Sequence, residues 1–488
     1  MSRTKIAPQI FAAISGSLLI AGIGYHIGWT SPALPKILID TSIPVNPNQA
    51  AMIVSMLTLG GAIGPISVCF TVDKFGRRAT MLMLAIPFLA SSVMTAVPQN
   101  YWWYYVARLL SGFGVGASFT VVPMYLGEIA EDRIRGGIGI LFGVMFNFGV
   151  LVPLCTGPWV SLPILASIGA LIPIIFIMTF VWVPETPYYY LMKNKPDKAR
   201  KSLVWLRGTT DVDDEFKKVT KNVELDLKNA GTLRELFTDR ANRRAMLIMI
   251  GLFTAQQITG TLVIQSYTTI IFETVASSIS ANVSVIIIGV VQLVATILVS
   301  FIADKKGRRT LLIWSMLLSS ISLLGEAAYF HLQAIGWDVS RISWLPVTAI
   351  VGYVTSFTLG VGTLPSAIIS EIFACNIKAY ASTISNVYLS FAAGFISFVY
   401  PNIVQAWGVH VAFYFFATGT VVFMILIYIF LPETKGKSFH EIQIMLQGIS
   451  ESREKLHPIR KSNYGSSRSS IYSIATNDVP VYGTITMK

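Results

Sequence analysis

Long apolar runs alternate with short polar segments along the whole chain. Twelve runs stand out, at 9–30, 50–72, 79–97, 102–124, 137–158, 160–183, 245–272, 281–303, 310–331, 344–370, 381–404 and 409–431. Each is near the roughly 20 apolar residues a helix needs to cross a bilayer. Unpaired backbone groups are costly in hydrocarbon, so the runs are predicted to be helices. Their internal Gly and Pro residues allow close helix contacts and local bends. The pattern predicts an all-α membrane protein of twelve spans, with the lipid bilayer as its surroundings.

Of the 488 residues, 53% are hydrophobic and only 13% charged, about half the roughly 25% of soluble proteins. This excludes a disordered or nucleic-acid-binding chain and argues against a soluble enzyme. The formal charge of +12 sits in short clusters between the runs. Of the 37 Lys and Arg residues, 34 fall on the side of both termini. Lys36 and Arg341 fall on the other side, and Arg108 lies inside a span. Positive charge marks the cytoplasmic side, so both termini are predicted to be cytoplasmic in a multi-pass protein of the plasma membrane. The first apolar stretch is too long for a cleavable signal peptide. Cys69, Cys155 and Cys375 match no metal or disulfide spacing and read as apolar filler. The five histidines give no metal pattern, and no nucleotide-binding signature or catalytic constellation stands out. No metal or other cofactor is expected.

Four units are predicted: an N-terminal six-helix bundle (1–183), a cytoplasmic helical linker (184–244), a C-terminal six-helix bundle (245–434) and a cytoplasmic tail (435–488), disordered after about 448. In the linker, Phe216, Val219, Val223 and Leu227 share one helical face. Thr232 and Glu235 have capping-box spacing. Serines at 466–470 are candidate phosphorylation sites.

The two sets of six spans echo each other. Asp73, Arg77 and Arg78 follow the second span, and Asp304, Arg308 and Arg309 follow the eighth, 231 residues later. Glu128 precedes Arg135 by seven residues, as Glu371 precedes Lys378. Pro184-Glu185-Thr186 ends the sixth span and Pro432-Glu433-Thr434 the twelfth. Three paired motifs in the same order indicate duplicated bundles, which place a solute site near the midplane between them and alternate its access by rocking. Acids and bases from different helices at this rim are predicted to form gating networks that tie the bundles together. Isolated pairs at a solvated boundary would contribute only about 0–1 kcal/mol each.

These motifs resemble those of the sugar porter family of the major facilitator superfamily. The likeness runs over about 9–440 and rests also on Arg108 with Gly112, Gly114 and Gly116, on Pro123-Met124-Tyr125, on Arg135-Gly136 and on Gln256-Gln257-Ile258-Thr259-Gly260. Thr30-Ser31-Pro32-Ala33-Leu34-Pro35 is most similar to the insect facilitated trehalose transporters and related facilitative glucose transporters. The resemblance implies a membrane transporter moving a sugar or sugar-like solute by facilitated diffusion. It implies solute contacts at Gln256, Gln257, Gln292 and Tyr267, with Ser366 and His26 at further contact positions. Amides both donate and accept hydrogen bonds, which suits a ring of hydroxyls. The chain departs from the family at Gly143, Leu262, Ser366, Leu389 and Ser390, so its cavity is expected to be less polar. Three other readings stand beside this one: a symporter coupled to protons through His26 and Arg108, a carrier of a non-sugar solute, and a non-transporting sugar sensor. An intramembrane Arg108 is the stronger functional candidate, with Glu273 and Glu326 expected near the external face. Asn282 lies in the one N-glycosylation sequon, at the start of the eighth span.

Overall fold

The computed structural model describes residues 6–131, 133–228, 232–275, 280–302, 307–373, 375–435, 437 and 439–447. Asp304, the side chain of Arg135, and the tail from 448 with its serines lie outside the described residues. Every element among those described is helical. Twelve helical segments are long and apolar enough to cross a membrane: Ala7–Ile39, Pro47–Phe75, Arg77–Ala96, Tyr101–Ile129, Gly136–Trp159, Leu162–Phe180, Arg240–Glu273, Ala281–Val299, Arg308–Ala334, Ser340–Ile369, Ile377–Trp407 and Val409–Phe430. They coincide with the twelve apolar runs but overshoot several of them. The first continues to Ile39, the fourth to Ile129, and the seventh starts at Arg240. Hydropathy marks only the apolar part of a helix, and the polar turns that emerge at its ends are equally helical. Glu128 therefore sits in the last turn of the fourth span rather than in a loop.

The spans form the two six-helix bundles of the major facilitator fold. Within the first half the second span lies against the fourth so closely that a Cβ on Gly112 would come within 1.9 Å of the Leu57 carbonyl oxygen. Only glycine admits that approach. Between the halves, the second span packs on the eleventh, the fifth on the eighth, and the part of the first farther from the linker on the seventh.

The first span runs through Trp29 without a break: the Trp29 N–H donates to the Tyr25 carbonyl at 2.7 Å and the Ala33 N–H to the Trp29 carbonyl at 3.2 Å. Among the described residues two spans are interrupted. The seventh breaks between Arg240–Ile258 and Thr261–Glu273, and the tenth between Leu345–Leu359 and Leu364–Ile372. Carriers use such breaks to expose backbone groups to a site and to bend.

The core is divided. On the linker face the halves have separate clusters, one around Met81, Tyr125 and Phe180 and another around Met249, Ile372 and Leu431. On the far face a single cluster joins them, with Tyr25, Trp29 and Tyr104 from the first half and Tyr267, Phe413 and Phe416 from the second. Ser31 Oγ lies 2.8 Å from Thr269 Oγ1 across this seam. The halves are thus sealed together on the face away from the linker.

Four short helices join the halves: Pro187–Met192, Pro196–Arg207, Asp213–Lys228 and Leu233–Thr238. Phe216, Val219 and Val223 pack on Leu191 and Ala199. Leu227 does not, being 53% exposed, because the six-residue helix beneath covers no more than two turns. Thr232 and Glu235 form the predicted capping box. Arg207 ties the linker to the fourth span through the Ile129 carbonyl at 3.1 Å.

Candidate functional site

The repeated charges build two matching networks on the linker face. In the first half Arg77 Nε donates to Glu128 Oε1 at 2.9 Å, and Thr186 Oγ1 donates to Glu128 Oε2 at 2.5 Å. In the second half Arg308 Nε donates to Glu371 Oε1 at 3.1 Å, and Thr434 Oγ1 donates to Glu371 Oε2 at 2.5 Å. The remaining acid of each motif works differently. Glu185 Oε2 accepts the Arg78 backbone N–H at 2.9 Å, while Glu433 accepts those of Arg308 at 2.8 Å and Arg309 at 3.2 Å. Glu185 thus caps the first turn of the third span and Glu433 that of the ninth, where orphan N–H groups and the helix dipole favour an anion. The glycine of each motif makes room for this: a Cβ on Gly76 or Gly307 would fall 2.3 or 2.4 Å from the capping carboxylate. Burial pushes the Glu185 carboxyl above the usual carboxylate range, opposed by the N–H donors of Thr186 and Arg78. Arg78 Nη2 also donates to the Val181 carbonyl at 2.6 Å, and Arg309 makes the equivalent bond to Tyr428.

Both ion pairs therefore connect helices within one half rather than across the halves. Lys378 is half-buried in the eleventh span, and Asp73 lies exposed at the end of the second.

Midway along the spans lies a second set of polar groups. Gln256, just before the break in the seventh span, donates a long 3.3 Å bond to the Gly362 carbonyl in the break of the tenth. Its Oε1 is buried without a hydrogen-bond partner. Tyr353 OH reaches Thr259 Oγ1 at 3.1 Å and holds the two breaks together. Asn147, at the middle of the fifth span, donates to Thr296 Oγ1 of the eighth at 2.9 Å, and Thr296 in turn donates to the Gln292 carbonyl at 2.8 Å. Asn147 Oδ1 is also buried without a partner. Gln257 and Gln292 are buried, and Ser366 is exposed with its hydroxyl on the Thr363 carbonyl. The Tyr267 ring packs on Tyr400 at 5.1 Å, with its hydroxyl buried and unpartnered. Sequence reading did not single out Asn147, although it is the only amide side chain in helix Arg135–Thr156.

Several departures from the family pattern turn out to be seam residues. A Cβ on Gly143 would meet Thr296 Cγ2 at 3.0 Å, and one on Gly61 would meet Ser390 Oγ at 3.2 Å. Leu262 packs against the core of the opposite half. Small or apolar residues here let the halves close on one another.

His26 and Arg108 are adjacent, but not through their side chains. Arg108 Nη1 donates to the His26 backbone carbonyl at 2.7 Å, Nη2 donates to Thr30 Oγ1 at 2.6 Å, and the guanidinium lies over Trp29. The His26 ring stacks on Phe88 of the third span at 4.9 Å, inside one half. Glu326 is only 1% exposed, in the part of the ninth span farther from the linker. Glu273 ends the helix Thr261–Glu273. Asn282 is half-buried in the first turn of its helix, with Ser284 of the sequon buried.

Comparison with known proteins agrees with this architecture. A facilitated trehalose transporter of Polypedilum vanderplanki is 33% identical over 91% of this chain and 89% of its own length. One of Culex quinquefasciatus is 32% identical over 90% and 86%. Among solved structures, the inward-open xylose transporter of E. coli superposes with a TM-score of 0.73 at 21% identity, over 90% of this chain and 99% of that one. The family model described as "Sugar (and other) transporter" matches residues 10–446, and the chain belongs to that family.

Proposed function

We propose that this protein carries a sugar across the plasma membrane by facilitated diffusion, with access alternating between its two faces. One observation carries the solute class. Asn147 Oδ1 and Gln256 Oε1 are buried at mid-span without partners, one on the seam between the fifth and eighth spans, the other at the paired helix breaks. Leaving such an acceptor unmade costs about 1–3 kcal/mol, and a polyhydroxylated solute supplies the missing donors. Gln257, Gln292, Tyr267 and Ser366 complete the proposed contact set. The insect relatives, named for facilitated trehalose transport, support a sugar and a downhill mode. The charge count along the chain supports a cytoplasmic linker face with both termini inside. On this orientation the structure is sealed on the outside, and the two linker-face networks brace each half as it rocks. Lys378 and the undescribed Asp304 and Arg135 side chains belong to the same proposed gating set.

Uptake of trehalose and glucose into proteoliposomes, with and without an imposed pH gradient, tests the reading. Equilibration to the same level in both conditions is expected. Accumulation above equilibrium under the gradient would overturn facilitated diffusion. A thermal-shift screen in which no sugar stabilises the protein would overturn the solute class, since a ligand of the folded state raises its apparent stability.

A further inference from the structure

The ninth span holds an acid that neither network nor solute site uses. Glu326 is 1% exposed, and neither carboxyl oxygen has a hydrogen-bond partner. It lies in the part of helix Arg308–Ala334 farther from the linker, between Leu323 and Phe330 on one helical face, both in the core shared by the halves. Phe330 stacks on Phe413 of the twelfth span. In the part of the packed spans farther from the linker, the titratable and charged groups are Tyr329 and His331 on its own helix, Arg341 and Tyr353 on the tenth span, His410 and Tyr414 on the twelfth, Tyr400 on the eleventh, and Tyr267 and Glu273 on the seventh; Arg308, Arg309, Glu371, Lys378, Tyr380, Tyr388 and Tyr428 lie toward the linker end. His331, His410 and Tyr414 cluster together at the end of the span. Tyr353 is committed to Thr259. No lysine or arginine is paired with Glu326 among the described residues.

An ionised carboxylate buried in apolar surroundings is far costlier than a neutral acid, and in practice such a group takes up a proton. An ionisable group inside a span is by default a functional candidate. The position points to the function. Phe330, one turn from Glu326, stacks on Phe413, and contacts run on from Phe413 to Phe416, from Phe416 to Tyr400 and from Tyr400 to Tyr267, two residues from Thr269, which bonds Ser31 across the outer seam. A charge appearing at Glu326 would thus disturb the packing that closes the outside.

We propose that Glu326 is a proton-binding site whose occupancy permits the outer seam to close, so that external pH sets the rate of the transport cycle. The step is Glu326–COO⁻ plus one proton from the external water giving Glu326–COOH. It occurs when the seam is open and water reaches the carboxyl. Closure then buries the neutral acid. The proton tunes the rate without driving accumulation, so this inference rests on the transport reading above and leaves its downhill mode intact.

The test has two arms. Sugar uptake into cells expressing the protein is measured from acid to alkaline external pH. Wild type should lose uptake on the alkaline side, and Glu326→Gln, which is permanently neutral, should not. Glu326→Leu should give the same flat profile, and Glu326→Asp should restore the loss, which guards against a folding defect in any single variant. Identical profiles for wild type and the neutral variants would overturn the proposal. The second arm needs no solute. Hydrogen exchange of 30–39 and 261–273, corrected for intrinsic rates, should rise with pH in purified wild type and not in Glu326→Gln. Equal exchange in the two proteins would overturn the proposal whether or not sugar is transported. A pH-dependent seam without sugar uptake would sustain it and remove the transport reading alone.

Discussion

Arg77 Nε lies 2.9 Å from Glu128 Oε1, and this pair is more deeply buried than its repeat. Side-chain exposures are 4% and 14%, against 19% and 24% for Arg308 and Glu371. Removing one member of a buried pair leaves the other charge uncompensated, at about 3–5 kcal/mol, whereas exposed pairs are worth about 1 kcal/mol or less. Arg77→Ala should therefore lower the thermal stability of the purified protein clearly more than Arg308→Ala. Glu128→Gln, which keeps an acceptor for Thr186, should fall between wild type and Arg77→Ala. Equal losses for the two arginines would show that burial does not set the strength of these networks.

The same repeat predicts unequal glycines. Gly76 has φ +95°, whereas Gly307 has an ordinary φ of −65°. Both would press a Cβ against a carboxylate that can move, but only Gly76 adds backbone strain, of order 1–3 kcal/mol for a non-glycine residue. Gly76→Ala should reduce folded yield and melting temperature more than Gly307→Ala. Comparable melting curves would count against this account of the motif.

The charges of these networks were legible because ionisable residues are rare in apolar runs and recur in both halves. Their partners were not. Sequence gives the depth of Arg77 and its side of the membrane, not which neighbouring helix end it meets, so a bridge between halves looked as natural as the bond within one half that is found. Glu185 was expected among the gating acids, but its role as a helix cap depends on how the sixth span returns beside the third. Hydropathy located the seventh and tenth spans but read through their breaks, because a turn such as Thr259-Gly260 barely lowers an average. The solute region is half legible: Gln256 belongs to a paired-amide motif, while Asn147, one turn after Gly143, belongs to none, and the sequence does not show that it meets Thr296 of the other half.

Gln256→Ala should weaken solute binding without loss of folded protein. The loss expected for a neutral hydrogen bond is about 0.5–1.5 kcal/mol, or up to roughly tenfold in affinity. Asn147→Ala and Gln257→Ala should fall in the same range. Thermal-shift titration with the transported sugar reads this directly. Unchanged affinity in all three variants would make these amides helix-packing groups.

His26 separates two readings of the first span. Its imidazole stacks on Phe88, and only its backbone carbonyl meets Arg108. His26→Phe preserves both features and should retain uptake with an unchanged pH profile. Arg108→Ala should abolish uptake, because Thr30 and the His26 carbonyl lose their shared donor. A changed pH profile in His26→Phe would return this histidine to the list of proton-coupling groups.

Gly143 tests how the halves meet at mid-depth. Its missing side chain lets the fifth span approach Thr296 of the eighth, with the bond from Asn147 to Thr296 one turn further on. A Cβ would already stand 3.0 Å from Thr296 Cγ2, so Gly143→Ala demands a small shift. Gly143→Gln demands that the spans separate, at a cost of about 1–3 kcal/mol for an overfilled contact. That cost falls on the conformation sealed away from the linker, so the equilibrium should move toward the opposite state, by roughly tenfold for each 1.4 kcal/mol. Labelling of single cysteines on the two faces in a cysteine-free background should then rise on the far face and fall on the linker face. Thr296→Ser, which removes the opposing methyl and keeps the hydroxyl for Asn147, should partly reverse the shift when combined with Gly143→Gln. Unchanged labelling in Gly143→Gln would show that this seam does not set the balance between the two faces.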